Sequence, residues 1–157
     1  MRKRIITQTQ QEITPSGTNW LNLEELTVVE VSSEDAAYPI ESALLNNRTL
    51  GWRAAEPGKQ VIRLLFDSPQ PINRIFLRFV DTSTARTQEF VLSWSADGGK
   101  SFSEIVRQQW NFNPQSATKE TEDFNVDLPA VTALELSVTP DISGGHALAS
   151  LLQLRLA

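Results

Sequence analysis

The apolar residues of this chain lie in short segments of strand length, and turn residues separate most of these segments. Residues 60–66 are almost continuously apolar, whereas residues 72–80 and 88–94 alternate between apolar and polar side chains. A continuous apolar run predicts a strand that is buried on most of both faces, and alternation predicts one buried face. No crossover helix fits between these segments, so parallel βαβ units are excluded. The pattern therefore predicts an all-β, antiparallel fold.

Turns and further strands complete this pattern. Ser68-Pro69-Gln70-Pro71 predicts a turn, and Asp97-Gly98-Gly99 predicts a hairpin. A short helix is predicted around Ala43-Leu44. The remaining strands are predicted at residues 26–32, 101–110, 123–128, 132–138 and 147–156. About eight strands and one short helix are typical of an antiparallel β-sandwich or jelly roll.

The length of the chain, 157 residues, suits one domain with a sizeable core. Residues 1–25 are polar with scattered apolar anchors, and we interpret them as an N-terminal arm or an edge strand. Residues 26–157 are interpreted as the β-sandwich domain.

Charge and cysteine content restrict the class of partner. The net charge is −5, and an acidic domain is repelled by phosphate backbones, which argues against nucleic acid. No run of about 18 apolar residues is present, so no membrane span is predicted. Cysteine is absent, and residues 5–11 are too polar for the apolar region of a signal peptide. We expect a cytoplasmic protein, either a monomer or a homodimer paired through sheet edges.

Catalytic motifs are not evident. His146 is the only histidine, no Ser/His/Asp order stands out, and no glycine-rich phosphate loop is present. Glu120, Glu122 and Asp123 form an acidic run, and such runs are usually solvated loops. The sequence therefore predicts a non-catalytic protein.

A polar loop next to an aromatic residue supplies the candidate ligand site. Trp110 is followed by Asn111 and Asn113, and Arg53 follows another tryptophan, Trp52. Sugar sites combine a flat aromatic surface with amide or guanidinium groups that bind hydroxyls. Arg53, Trp110, Asn111 and Asn113 are therefore the candidate ligand-binding residues, and carbohydrate is the predicted ligand. For Trp52 and Arg53, a packing pair is the alternative.

A second candidate surface lies on the predicted strand 72–80. Arg74, Phe76 and Arg78 share one face of that strand, opposite Ile75, Leu77 and Phe79. With Arg63 and Arg107, these residues would form a basic, aromatic patch for a protein partner, a phosphate or single-stranded nucleic acid. The alternative is an exposed sheet face with solvated arginines.

The order of these features resembles that of discoidin-type (coagulation factor 5/8 type C) domains, which are galactose-binding-like jelly rolls. The resemblance covers about residues 26–157 and implies a domain that binds rather than catalyses. It rests on Ser32-Ser33, Tyr38-Pro39, Ala43-Leu44, Trp52, the segments 60–66 and 72–79, Asp97-Gly98-Gly99 and the closing residues 152–156.

The resemblance also implies a structural Ca²⁺ as the one cofactor to consider. The matching loop offers oxygen ligands from Asn46, Asn47 and Thr49, and hard oxygen ligands suit Ca²⁺. No carboxylate follows until Glu56. Because affinity rises with the charge of the ligands, we predict no cofactor and keep calcium as the alternative.

A narrower resemblance links the first half of the chain to the N-terminal domain of the X-ray repair cross-complementing scaffold protein. It rests on Ser32-Ser33-Glu34-Asp35, Trp52-Arg53-Ala54-Ala55, Gly58-Lys59 and residues 61–66. That family docks a repair polymerase and has been linked to nicked DNA. We therefore keep two hypotheses: a carbohydrate-recognition module, and an intracellular protein-interaction scaffold that uses the strand face of Arg74, Phe76 and Arg78.

Overall fold

The computed structural model describes residues 19–157, in which eight antiparallel strands and two one-turn helices form a β-sandwich. This confirms the predicted fold class. Neither of the two helices in the described part has the length needed to cross a membrane. The elements are α1 (Leu23–Leu26), β1 (Thr27–Val31), α2 (Glu41–Leu44), β2 (Trp52–Pro57), β3 (Gln60–Val80), β4 (Arg86–Ser95), β5 (Ser103–Phe112), β6 (Lys119–Thr139), β7 (Leu148–Leu151) and β8 (Gln153–Leu156).

Two long strands, β3 and β6, contribute to both layers. The first half of β3 and the second half of β6 lie within the order β1-β3-β6-β4-β5. The second half of β3 pairs with the first half of β6 and also with β8. A separate two-stranded sheet joins β2 to β7. Each long strand therefore carries the chain from one layer into the other.

The predicted breaks in these two strands are wrong. Ser68-Pro69-Gln70-Pro71 does not end a strand, and the predicted strands 123–128 and 132–138 are one continuous β6. The β3–β6 register shifts between Leu65 and Arg74. A bulged register leaves some N–H groups unpaired, so proline is tolerated there without ending the strand.

The core lies between the layers and is built from alternate residues of the strands. Phe79 of β3 and Phe90 of β4 stack with their ring centroids 5.3 Å apart. Trp52 is buried, and its indole N–H donates to the Ser33 carbonyl at 3.0 Å. Trp52, one member of the alternative packing pair, therefore lies in the core. Its neighbour Arg53 lies on the opposite side of β2 and is exposed.

Most of the predicted N-terminal arm, residues 1–25, lies outside the described residues. The described part of it contacts the domain. The backbone N–H of Leu21 donates to the Leu156 carbonyl at 2.8 Å, and the ring of Trp20 lies 6.2 Å from that of Phe76. Residues 20–21 therefore pack beside β8 and the second half of β3.

We expect Gly51→Ala to destabilise the fold by about 3 kcal/mol, because a side chain there meets both strain and a clash. Gly51 has a φ of 75°, and an added Cβ would lie 2.7 Å from the Leu151 carbonyl oxygen. Gly58 has a similar φ of 86° and open space around it, so Gly58→Ala should cost only about 1 kcal/mol. Urea unfolding of both variants checks this, and equal losses would contradict the clash.

Candidate functional site

A groove of about 440 Å³ opens at the end of the sandwich where β3 stops and β4 begins. Its walls come from four separate parts of the chain. These are the segment before α2, the start of β2 with the residues before it, the β3–β4 loop, and β7 with the residues before it. The groove therefore exists only in the folded domain. Its polar lining includes Tyr38, Arg53, Asp81, Arg86, His146 and Ser150, and its apolar lining includes the exposed Leu50 and Leu148.

Asp81 and Arg86 form a fixed ion pair in the groove. The Arg86 Nε donates to Asp81 Oδ2 at 2.6 Å, and the Arg86 side chain is almost completely buried. Arg86 also donates to the Pro140 carbonyl at 2.6 Å and lies 4.6 Å from the centroid of the Phe112 ring. Burial alone would raise the pKa of Asp81, but hydrogen bonds from Arg86 and Ser83 lower it below its ordinary value. Asp81 is therefore a carboxylate whose charge Arg86 compensates.

Arg53 is held differently, by an aromatic ring. Its guanidinium carbon lies 4.5 Å from the centroid of the Tyr38 ring. The backbone ties the two residues together, since the Arg53 N–H donates to the Tyr38 carbonyl at 3.1 Å. Within residues 19–157, no acceptor contacts the guanidinium N–H groups. Stacking therefore orients the guanidinium but leaves its donors available to a ligand.

Behind the groove, Arg86 leads into a buried polar cluster. Arg86 donates to the Gln88 side-chain oxygen at 3.3 Å, and Gln88 donates to Glu120 at 3.1 Å. Glu120 is fully buried, and burial together with the nearby Glu122 raises its pKa to about 8. The prediction that Glu120 belongs to a solvated loop is wrong, because Glu120 lies on β6 and points into the core.

Comparison with known proteins identifies the family. The family model for the F5/8 type C domain matches residues 28–152. The chain belongs to the F5/8 type C domain family. A search of curated proteins finds no match.

Solved structures of this fold are similar to the domain at low sequence identity. A family 32 carbohydrate-binding module of NanJ from C. perfringens, in complex with galactose, has a TM-score of 0.64 at 14% identity, covering 87% of this chain and 96% of that one. The third such module of a Clostridium perfringens family 31 glycoside hydrolase has a TM-score of 0.65 at 13% identity, covering 96% and 98%. The module of AlyQ, in complex with 4,5-unsaturated mannuronic acid, has a TM-score of 0.61 at 17% identity, covering 84% and 95%. These likenesses show the fold.

The predicted ligand residues of this F5/8 type C domain do not come together. Arg53 lines the groove, whereas Trp110, Asn111 and Asn113 do not. Trp110 is half-buried on β5 and packs against the core. Asn111 accepts a hydrogen bond from Thr87 at 2.6 Å, and Asn113 shapes the turn that follows β5. Ligand binding by the Trp110 group stays a prediction.

Sequence reasoning missed Tyr38, Asp81 and Arg86, and it weighed His146 only as a metal ligand or a member of a catalytic triad. All four residues line the groove. The sequence around these residues gave little indication of a binding site. Tyr38-Pro39 and Gly144-Gly145-His146 are loop sequences that carry no distinctive motif. Their functional relevance follows from which loops the fold brings together.

The second candidate surface is not an exposed face. Phe76 and Arg78 are buried, and Arg78 lies 5.4 Å from the centroid of the Phe76 ring. Arg74 pairs with Asp123 at 2.6 Å. Arg63 and Arg107 belong to the other layer, so the expected patch does not form, and this placement lends the scaffold hypothesis no support. Trp20 packs on this face, 6.2 Å from Phe76 and 5.3 Å from the Arg74 guanidinium carbon.

The candidate calcium ligands carry no charge, and Ca²⁺ affinity rises with ligand charge. Asn46, Asn47 and Thr49 are exposed, and no carboxylate lies between α2 and Glu56. The neighbouring carbonyls are already occupied by a buried cation of the chain itself. Arg155 donates to the Ala43 carbonyl at 2.7 Å and to the Leu45 carbonyl at 3.0 Å. Among residues 19–157, no cluster of three acidic, histidine or cysteine side chains could hold a metal.

We expect the thermal midpoint of the domain to be the same in EDTA and in excess CaCl₂, because Arg155 supplies the positive charge and the donors that this segment needs. Differential scanning calorimetry of the chelated and the calcium-loaded protein checks this. A rise with calcium that Asn47→Ala abolishes would instead show that the loop binds the ion.

The raised pKa of Glu120 makes stability depend on pH. The folded state keeps the proton up to about pH 8, whereas the unfolded chain releases it near the ordinary value of 4.5. The stabilisation is therefore complete below pH 4.5 and is lost as pH rises to 8, by up to about 1.4 kcal/mol per pH unit. We expect Glu120→Gln to remove this slope, as measured by urea unfolding between pH 5 and pH 8.

Asp127→Asn is the matched control for that measurement, because Asp127 is an exposed carboxyl on the same strand. It should leave the slope as in the wild type. Parallel curves for the wild type and Glu120→Gln would show that Glu120 does not hold a proton in the folded state.

Proposed function

We propose that this F5/8 type C domain is a non-catalytic carbohydrate-recognition module and that the groove is its binding site. The observation that carries the proposal is the stacked pair of Tyr38 and Arg53, with its guanidinium donors unoccupied. Sugars offer hydroxyls in a fixed arrangement and apolar C–H faces. A site for them needs a few oriented polar groups beside apolar surface.

The surroundings of this pair meet that requirement. Leu50 and Leu148, which line the groove, are 66% and 38% exposed, and they provide apolar surface for a sugar face. Ser150, which is paired with Arg53 across the β2–β7 sheet, adds a hydroxyl, and His146 adds an imidazole. Two modules of the same fold support the proposal, since one was solved with galactose and another with an unsaturated mannuronic acid.

The charges in the groove support recognition rather than hydrolysis. Glycoside hydrolysis commonly uses two carboxyl groups, one on each side of the scissile bond. Of the described residues that line the groove, Asp81 alone is acidic, and it is bonded to Arg86 at 2.6 Å. A carboxylate held in this way is a poor proton donor, because its charged form is stabilised.

We expect Arg53→Ala to weaken binding of an identified sugar by about tenfold or more, because it removes hydrogen bonds from a charged donor. A panel of sugars would first be screened by thermal shift, where a ligand at about 100 times its Kd stabilises by about 2.7 kcal/mol. Titration calorimetry of the best ligand then compares the wild type with the variant.

Asn113→Ala tests the alternative site, because Asn113 is a predicted ligand residue that is exposed and lies outside the groove. If the groove is the site, Asn113→Ala should bind like the wild type. The reverse pattern, with loss in Asn113→Ala and none in Arg53→Ala, would move the site to the loop after β5, where the sequence also predicted it.

A further inference from the structure

Resting on the proposed function, we infer that the groove selects an acidic sugar and that Arg53 binds its carboxylate. The inference concerns the class of ligand rather than the place where it binds. It follows from the balance of donors, acceptors and charge in the groove.

The side-chain acceptors of the groove are hydroxyls, the His146 imidazole and the Asp81 carboxylate. Asp81 accepts hydrogen bonds from Ser83 N at 2.8 Å, Ser83 Oγ at 3.0 Å, Thr84 N at 3.2 Å and Arg86 Nε at 2.6 Å. Oδ1 therefore accepts three of these hydrogen bonds, and Oδ2 is bound to Arg86. No described lining residue is an asparagine, a glutamine or a glutamate.

This balance matters because a neutral sugar hydroxyl brings a proton as well as lone pairs, whereas the Arg53 guanidinium can only donate. An ionised carboxylate brings acceptors only. The unoccupied guanidinium of Arg53, in a groove where Arg86 already compensates the charge of Asp81, therefore suits a carboxylate ligand.

The groove carries a positive charge, which is the sign that a carboxylate ligand requires. Arg86 and Asp81 compensate one another, which leaves Arg53 as a positive charge in the groove. Elsewhere in the described chain, Arg63, Arg74 and Arg107 are each paired with a carboxylate. Arg53 stands apart from these ion pairs although the net charge of the chain is −5.

The geometry of Arg53 also suits a carboxylate. A guanidinium presents its N–H groups as a planar fork that matches two carboxylate oxygens. Tyr38 holds this group from one side at 4.5 Å, and the β2–β7 pairing fixes the backbone that carries it. The fork is thus oriented before the ligand arrives, which lowers the entropic cost of binding.

The test compares ligands that differ only at the carboxyl group. Titration calorimetry would use galacturonic acid, its methyl ester and galactose, and the same three forms of glucuronic and mannuronic acid. For at least one of the three series, we expect the acid to bind about tenfold or more tightly than its methyl ester, since charge-assisted hydrogen bonds exceed neutral ones by about this factor. The preference should shrink as NaCl is added.

Variants of Arg53 assign the effect to that residue. In Arg53→Gln the acid and the ester should bind equally, because the charge and the fork are gone. Arg53→Lys keeps the charge without the fork and should retain only part of the preference. Arg107→Gln removes an exposed arginine outside the groove and should behave as the wild type. The side chain of Arg53 is exposed, so both Arg53 variants should fold, which their thermal midpoints check.

Three results would overturn the inference, and they are distinguishable. Ester or neutral sugar bound as tightly as the acid would reject acidic selectivity but leave carbohydrate recognition standing. A preference for the acid that survives in Arg53→Gln would reject the role of Arg53. No binding of any sugar, acidic or neutral, would reject the proposed function and this inference together.

Discussion

The pairing of β3 with β6 is the interaction on which the rest of this domain depends. Both strands run through both layers, and they stay paired with each other from Gln60–Val138 at one end to Val80–Lys119 at the other. The bulged region between Leu65 and Arg74 lets the pair turn without ending. Every other strand except β2, β5 and β7 pairs directly with one of these two, so the layers are positioned by one continuous ladder.

The position of the groove is set by the pairing of β3 with β6. β3 ends at Val80, and Asp81 follows at once, so the ion pair with Arg86 forms where the long strand stops and β4 starts. Arg86 then joins the groove to the polar cluster of Gln88 and Glu120 inside the sandwich. The side chains that line the groove are thus braced by buried side chains behind them. Such bracing keeps a binding site close to one arrangement.

Much of the fold could be predicted from the sequence, because periodicity reports local burial. The alternation around Phe90 and Leu92 and the Asp97-Gly98-Gly99 hairpin gave β4 and its turn correctly. The prediction of a turn at Ser68-Pro69-Gln70-Pro71 was wrong. Proline usually ends a strand, and whether a bulge allows it to stay within one depends on the partner strand. The residues of a strand do not reveal which strand it pairs with.

The site was harder to predict for the same reason. Arg53 was found because it adjoins a tryptophan, but its aromatic partner is Tyr38, on a different segment, and not Trp52. Trp110 was predicted as a sugar platform because it adjoins amides, yet it is half-buried and packs against the core. Residues that are adjacent in sequence show which chemical groups are available to a site. The direction of each side chain depends on strand register, which a single sequence does not contain.

The buried guanidinium of Arg155, bonded to the carbonyls of Ala43 and Leu45, has a consequence for where such a module can operate. A positive charge that belongs to the polypeptide cannot be diluted away, chelated or exchanged for another ion. If calcium leaves the thermal midpoint unchanged, as we predict, the shape of the segment after α2 is set when the chain folds and not by the supply of divalent cations.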